Sequence, residues 1–302
     1  MTVLVLDPRV PADALPDLEA RFGGEIAGDD VTALVITPRS PVRLSEFERL
    51  PALRVIATAS IGYDHVDLEA AAARDVWVCH VPDYCVEEVA DHALALLLSL
   101  WRGVVFLDRD VRAGGWNPLG AGPLRTVRGT RVGVVGYGRI GSAVAGRLLA
   151  LGAEVWATDI AVAADTIAAA GAVPVGLDEL LAGCDAVSLH VPLTPSTRGL
   201  IGEPELARMR PGAVLVNTAR GPVVDFEALV RALESGRLSG AALDVLPTEP
   251  PPQPPAAVRL VVTSHAAWYS PVSEQRGWQE ALVAVRAALG GEVPPWAVTR
   301  PR

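Results

Sequence analysis

The chain has 302 residues, long enough for two domains with separate cores. Its formal net charge is −9 and no basic cluster occurs, which argues against nucleic acid or an anionic membrane as the main partner. All 26 basic residues are arginine, so Schiff-base lysines, a P-loop lysine and a Tyr-x-x-x-Lys proton donor are excluded.

Strand-like and helix-like stretches alternate from the start. Val3–Leu6, Ala33–Ile36, Arg54–Ala57 and Val76–Cys79 read as strands, with helices expected at Ala12–Phe22, Leu44–Leu50 and Leu68–Arg74. This is the pattern of a parallel sheet with covering helices. One long helix is expected from about Val86 to Arg112, ended by Gly114-Gly115, and a Gly/Pro-rich segment, Asn117–Gly129, follows. A second alternating series supplies strands at Arg131–Val135, Ala153–Thr158, Val173–Pro174, Ala186–His190, Ala213–Asn217, Ala241–Val245 and Leu260–Thr263. A last helix, about Val272–Leu289, lies beyond the last of these strands and is expected to return to the first domain. The longest apolar run, Ala93–Trp101, is too short to span a bilayer, and Met1–Pro11 lacks the basic start of a signal peptide.

Gly136-Tyr137-Gly138-Arg139-Ile140-Gly141 stands between the apolar run Val132–Val135 and the amphipathic stretch Ser142–Leu151. Asp159 follows at the end of the next strand. Strand, G-x-G-x-x-G turn, helix and acid in that order form the fingerprint of a dinucleotide site. The glycines allow a tight turn, backbone approach to a pyrophosphate and close packing of helix on strand. The helix N-terminus offers unpaired N–H groups and a positive dipole end.

Ligands in such sheets bind beyond the carboxyl ends of the strands, so the residues found there are the candidates for chemistry. They include Thr218-Ala219-Arg220-Gly221, Asp244, Glu249, His190-Val191-Pro192 and Ser264-His265-Ala266-Ala267. Cys79, Cys85 and Cys184 are odd in number and lack C-x-x-C spacing, which reads as reduced thiols in a cytoplasmic protein. Cys85 has no evident activating partner. His65, His80 and His92 read as structural or exposed, and no pair has metal-ligand spacing, so no metal is expected.

With these motifs in place, the chain resembles the D-isomer-specific 2-hydroxyacid dehydrogenases. The resemblance rests on Val132–Gly141, Leu189–Thr194, Leu215–Asp225, Ala242–Pro250 and Thr263–Ala266, and on Ser60–Leu68 and Val81–Leu98 in the first domain. Pro82-Asp83-Tyr84-Cys85 and Glu87–Leu98 look most like the branch of C-terminal-binding-protein corepressors and phosphoglycerate dehydrogenase-like proteins. The fold implied is α/β, with two doubly wound parallel-sheet domains. A Rossmann coenzyme domain, residues 100–268, is inserted into a discontinuous flavodoxin-like substrate domain, residues 1–99 plus 269–302.

The resemblance implies roles that the chemistry of each side chain supports. Arg220 would clamp the carboxylate and carbonyl of a 2-oxo acid with its planar fork. His265 would be the general acid, and Glu249 would fix its tautomer and favour the imidazolium. Backbone N–H groups around Ile61 and Gly62 would hold the far side of the substrate carboxylate, which makes the cleft between domains the expected active site. Gly136, Gly138, Arg139, Ile140 and Gly141 would meet the pyrophosphate. His190, Val191, Pro192, Thr197, Thr218, Ala219, Arg220, Asp244, His265 and Ala267 complete the implied cofactor contacts. Asp159 would take the adenosine ribose hydroxyls and repel a 2′-phosphate; no arginine in Ile160–Thr166 would neutralise one, so NAD is favoured over NADP.

The expected reaction moves a hydride between NAD(H) and a small acid of the glyoxylate, hydroxypyruvate or pyruvate class. Thr58 stands where phosphoglycerate dehydrogenases usually carry arginine, which disfavours a phosphorylated substrate, although Arg39 or Arg54 would substitute. An NAD-sensing, corepressor-like binding protein and an erythronate-4-phosphate or 3-phosphoglycerate dehydrogenase are the alternatives. A homodimer is also implied.

Overall fold

The structure is a computed structural model in which residues 1–253, 257 and 259–300 are described. The chain divides into two compact units, Met1–Cys85 with Tyr269–Arg302, and Val86–Trp268.

The first unit begins with β1 (Thr2–Val5), β2 (Glu19–Phe22), β3 (Val31–Ile36), α1 (Leu44–Glu48), β4 (Val55–Thr58), α2 (Leu68–Ala73) and β5 (Trp77–Cys79). All neighbours pair in parallel, in the order β2-β1-β3-β4-β5, which is the flavodoxin-like winding. β1, β3 and β4 are almost wholly buried, as strands covered on both faces must be, and their Val, Leu and Ile content follows from that. Asp67 starts α2 by accepting the Ala70 N–H at 2.9 Å.

The helix expected at Ala12–Phe22 is not formed. Pro16 lies inside that stretch, where it removes a donor and disfavours helical backbone at Leu15. The chain instead makes successive turns, with Ala14 N–H bonded to Pro11 C=O and Leu18 N–H to Leu15 C=O, and ends as the edge strand β2.

The second unit holds α3 (Val86–Trp101), α4 (Val104–Arg112), β6 (Arg131–Val135), α5 (Arg139–Ala150), β7 (Glu154–Thr158), α6 (Ala164–Ala169), β8 (Val173–Pro174), α7 (Leu177–Gly183) and β9 (Ala186–Leu189). α8 (Glu203–Arg208), β10 (Ala213–Asn217), α9 (Phe226–Glu234), β11 (Leu238–Leu243) and β12 (Leu260–Val262) follow. The sheet is parallel throughout, ordered β12-β11-β10-β9-β6-β7-β8, the Rossmann winding with its order reversing beside β6.

The single long helix expected over Val86–Arg112 is two helices, bent by 60°. Gly103 sits at the break with φ 64°, and a Cβ there would stand 2.6 Å from that of Ala121. No single helix among the described residues is long and apolar enough to cross a membrane. α3 belongs with the second unit, not the first as the 99/100 boundary expects. Ala90, Ala93, Leu96, Leu97, Leu100 and Trp101 pack into the core built around Val132, Val144 and Leu148, so burial of that apolar stripe fixes its place.

α10 (Pro271–Leu289) returns to the first unit, where Ala281, Leu282, Ala284, Val285, Ala288 and Leu289 are buried and the helix packs on β3 and β4. Ser270 caps it, its hydroxyl accepting the Ser273 N–H at 3.0 Å, with Pro271 at the first helical position.

Candidate active site

β6 ends in the glycine turn, anchored by the Gly136 N–H on the Thr158 carbonyl at 2.9 Å. Gly136 has φ +90°, and a Cβ on it would lie 2.6 Å from the His190 carbonyl oxygen. A Cβ on Gly141 would overlap the Gly136 carbonyl, so α5 can lie close to β6 only with glycine there. Around Gly138 nothing comes within 4 Å of an added Cβ, which leaves room for a ligand at the start of the 12-residue α5. Arg139 and Ile140 open that helix.

Asp159 follows β7. One carboxylate oxygen accepts the Tyr137 N–H at 2.6 Å, and the other accepts Ala161 and Val162 at 2.7 and 3.0 Å. Burial would raise its pKa, but the Ala161, Tyr137 and Val162 N–H donors outweigh it and hold the carboxyl below its ordinary value. A cleft of about 360 Å³ beside it is lined by Thr158, Asp159, Val175 and Glu179, an acidic surround that disfavours a further phosphate.

Beyond β9, burial pushes the His190 imidazole down to about 4, and its ring lies 2.8 Å from Ser188 Oγ. A neutral ring with its nitrogen spent on Ser188 is no proton donor near neutral pH, in line with a role for its backbone. Val191 and Pro192 continue into a loop closed by Thr197, whose hydroxyl donates to the Pro192 carbonyl at 2.6 Å.

β10 delivers Thr218, Ala219 and Arg220. Asn217 is fully buried and braces the turn, donating to the Arg220 carbonyl at 2.9 Å and accepting the Ala219 N–H at 3.0 Å. A Cβ on Gly221 would overlap the Leu246 carbonyl, so the segment after β11 passes directly against this turn. That segment carries Glu249, whose Oε1 accepts the Leu246 N–H at 2.8 Å while Oε2 lies 2.6 Å from His265 Nδ1. Burial acts to raise the Glu249 pKa. The His265 hydrogen bond and charge, the Leu246 N–H and the Arg220 guanidinium together bring it below its ordinary value. Glu249 is thus a carboxylate at neutral pH, and Nδ1 of His265 carries the proton between them.

His265 adopts φ 54°, a left-handed backbone that a side chain enters only at a cost. Asp244, buried at the end of β11, holds it there. Its carbonyl accepts the His265 N–H at 2.8 Å. Its carboxylate accepts the Ala266 and Ala267 N–H groups, both at 2.9 Å, and the Thr263 hydroxyl at 2.6 Å. Thr263 in turn accepts from His92 of α3 at 3.0 Å, and Trp268 Nε1 caps the His265 carbonyl at 2.9 Å. Asp244, His265 and Ala267 are legible in the sequence, whereas the part that His92, Thr263 and Trp268 play in holding them is not. These side chains lie far apart in sequence, and no local pattern marks their meeting.

Arg220, Glu249 and His265 therefore share one end of one sheet, as their positions after strands require. Ile61 and Gly62 lie in the first unit, in the partly exposed turn after β4. The three cysteines are buried, and burial pushes the Cys79 and Cys184 thiols up to about 12. Among the described residues no three His, Cys, Asp or Glu side chains are grouped to hold a metal ion.

Residues 94–267 match the family model described as D-isomer specific 2-hydroxyacid dehydrogenase, NAD binding domain. The chain belongs to the D-isomer-specific 2-hydroxyacid dehydrogenase family. The matched segment is the family's NAD binding domain, and the open space at Gly138 would admit a pyrophosphate at the α5 terminus. The chain is 40% identical over 273 residues to a glyoxylate reductase of Korarchaeum cryptofilum, covering 88% of this chain and 82% of that one. It is 39% identical over 271 residues to the D-3-phosphoglycerate dehydrogenase of Mycobacterium leprae, covering 89% of this chain and 51% of that one. The chain thus spans about half the length of the phosphoglycerate dehydrogenases it matches. The crystal structure of D-lactate dehydrogenase from Aquifex aeolicus, complexed with NAD and lactic acid, superposes with TM-score 0.90 at 28% identity, all of both chains being covered.

Proposed function

We propose that this chain is an NAD-dependent D-2-hydroxyacid dehydrogenase acting on a small 2-hydroxy or 2-oxo acid of the glyoxylate, hydroxypyruvate or pyruvate class. The observation that carries this reading is the 2.6 Å contact of His265 Nδ1 with Glu249, beside Arg220 at the same sheet end. A nucleotide sensor needs the glycine turn and Asp159, but it has no use for that trio. Bound NADH supplies the hydride. His265, with Nδ1 engaged, has Nε2 left to give a proton to the oxygen that the hydride leaves negative, and so the carbonyl becomes a hydroxyl. Arg220 clamps the substrate with two parallel N–H groups of its planar guanidinium. Backbone N–H groups at Ile61 and Gly62 are proposed to bind the substrate carboxylate.

We place the cofactor contacts at the residues named from the sequence, with Asp159 selecting NAD. Among the described residues the Asp244 Oδ2 accepts only from Ala267, which leaves capacity for an amide donor of the nicotinamide. Trp116 and Leu119 are 87% and 82% exposed after α4, an apolar surface that supports a homodimer. The odd number and scattered placing of Cys79, Cys85 and Cys184 support a cytoplasmic location.

The test is NADH oxidation against a panel of 2-oxo acids that includes 3-phosphohydroxypyruvate. Saturable turnover of an unphosphorylated acid is expected. NADH binding without turnover of any acid would refute the enzyme, and turnover of the phosphorylated acid alone would move the substrate class.

A further inference from the structure

Four polar side chains of the first unit stand behind the turn after β4, and the chemistry assigned above does not use them. Thr58, Ser60 and His65 are buried, at 0%, 4% and 6% exposure, where a polar group needs a reason to be. Ser60 Oγ lies 2.7 Å from the Gly62 carbonyl oxygen, Thr58 Oγ1 is 2.7 Å from Ser60 Oγ, and His65 Nε2 is 3.0 Å from Thr58 Oγ1. His80, just past β5, places Nδ1 2.8 Å from the Ile61 carbonyl oxygen.

The direction of every proton in this chain can be assigned. A carbonyl oxygen only accepts, so Ser60 spends its single proton on Gly62. Ser60 Oγ must then accept from Thr58, and Thr58 Oγ1 from the N–H of His65 Nε2. By the same rule His80 Nδ1 carries a proton and donates it to Ile61. The carbonyls of Ile61 and Gly62 are therefore both tied back into the unit.

A trans peptide points its C=O and its following N–H in opposite directions. The one cis bond among the described residues is Glu249–Pro250, so the peptides here are trans. Tying back the Ile61 carbonyl aims the Gly62 N–H away from His80. Tying back the Gly62 carbonyl likewise aims the Tyr63 N–H away from Ser60. No described residue accepts a hydrogen bond from either N–H. Two successive N–H groups turned outward in this way are able to bind an anion, and the side chains behind them set their direction.

We infer that His80, Ser60, Thr58 and His65 are positioning residues that aim the Gly62 and Tyr63 N–H groups at a small carboxylate. The inference rests on the proposed activity for the identity of the anion, the carboxylate of a 2-oxo acid, but the orientation of the peptides is a separate matter. It also adds Tyr63 to Ile61 and Gly62, since the Ser60 carbonyl accepts the Val81 N–H at 3.0 Å and so turns the Ile61 N–H outward as well.

The test uses the full chain with Ser60→Ala, Thr58→Val and Thr58→Ser. Ser60→Ala and Thr58→Val should each raise the KM for glyoxylate by about five- to tenfold, the worth of one hydrogen bond, with kcat within about twofold. The KM for NADH should stay unchanged. Thr58→Ser keeps the hydroxyl and should restore the glyoxylate KM. A crystal structure of Ser60→Ala, or of Thr58→Val if that variant alone folds, should show the Gly62 carbonyl turned from its wild-type direction. Wild-type KM values in both deletion variants, an unmoved Gly62 peptide, or an equal loss of kcat in all three variants would overturn the inference. If wild-type protein turns over no 2-oxo acid, the proposed activity fails by itself, and the peptide orientation still decides whether these residues position the turn.

Discussion

Two turns of the second unit face the same chemical problem and solve it differently. The glycine turn after β6 needs a positive φ at Gly136 and a close approach at Gly141, and the chain meets both needs by omitting side chains. The turn after β12 also has a positive φ, at His265, but the proposed chemistry there requires a side chain. Its backbone is held by the buried carboxylate of Asp244, by Thr263 and His92 behind it, and by the Trp268 indole. Where only backbone meets the ligand, residue identity suffices. Where, on the proposed chemistry, a side chain reacts from a strained backbone, a buried polar brace offsets the strain.

That contrast can be broken at its reactive end first. His265→Ala should lower kcat by about a hundredfold or more, the usual worth of a general acid, with NADH affinity unchanged by fluorescence titration. A loss of NADH binding of the same size would mean that the turn serves the cofactor instead. Gly136→Ala should do the reverse. With a strain of about 1–3 kcal/mol imposed at the turn, NADH affinity should fall by about five- to a hundredfold. The stopped-flow rate from NADH-saturated enzyme should move far less.

The two turns also differ in how much of them a reader of the sequence can see. Gly136, Gly141 and Asp159 are legible because a backbone requirement is written directly as a residue type, in one short window. The left-handed backbone of His265 is not, since Asp244, Thr263 and His92 meet across 19 to 171 positions of chain. The same logic explains the helices. Pro16 inside Ala12–Phe22 outweighs an apolar spacing that looked helical. Gly103 breaks the run after Trp101, because its place is set by contact with Ala121. The division at Cys85 and Val86 differs from the expected 99/100 boundary, because the apolar stripe of α3 does not say which sheet it covers.

A milder cut sharpens the comparison. Glu249→Gln keeps an acceptor for His265 Nδ1 but removes the charge, and kcat should fall by about tenfold, in keeping with a charge-assisted hydrogen bond. The Glu249 pKa lies below its ordinary 4.5, so in the wild type this carboxylate is lost only as pH falls beneath that value. An acid limb of the rate profile that starts well above 4.5 must then come from another group.

The smallest effect concerns stability. His190 is depressed from 6.5 to about 4, so in that interval the unfolded chain takes up a proton that the folded chain refuses. Its contribution is full above 6.5 and is lost as pH falls toward 4. Thermal melting at both ends of the interval should show a shallower acid slope for His190→Gln than for wild type. Equal slopes would place the acid sensitivity elsewhere.

The most direct test is the rate of the hydride step in the NADH complex, followed by stopped flow with saturating glyoxylate from acid to alkaline pH. The account requires that rate to fall in the wild type as pH rises, since the step consumes a proton through His265, and to lose this dependence in His265→Ala. A flat wild-type profile, with hydride transfer shown to be rate-limiting by deuterated NADH, would contradict it.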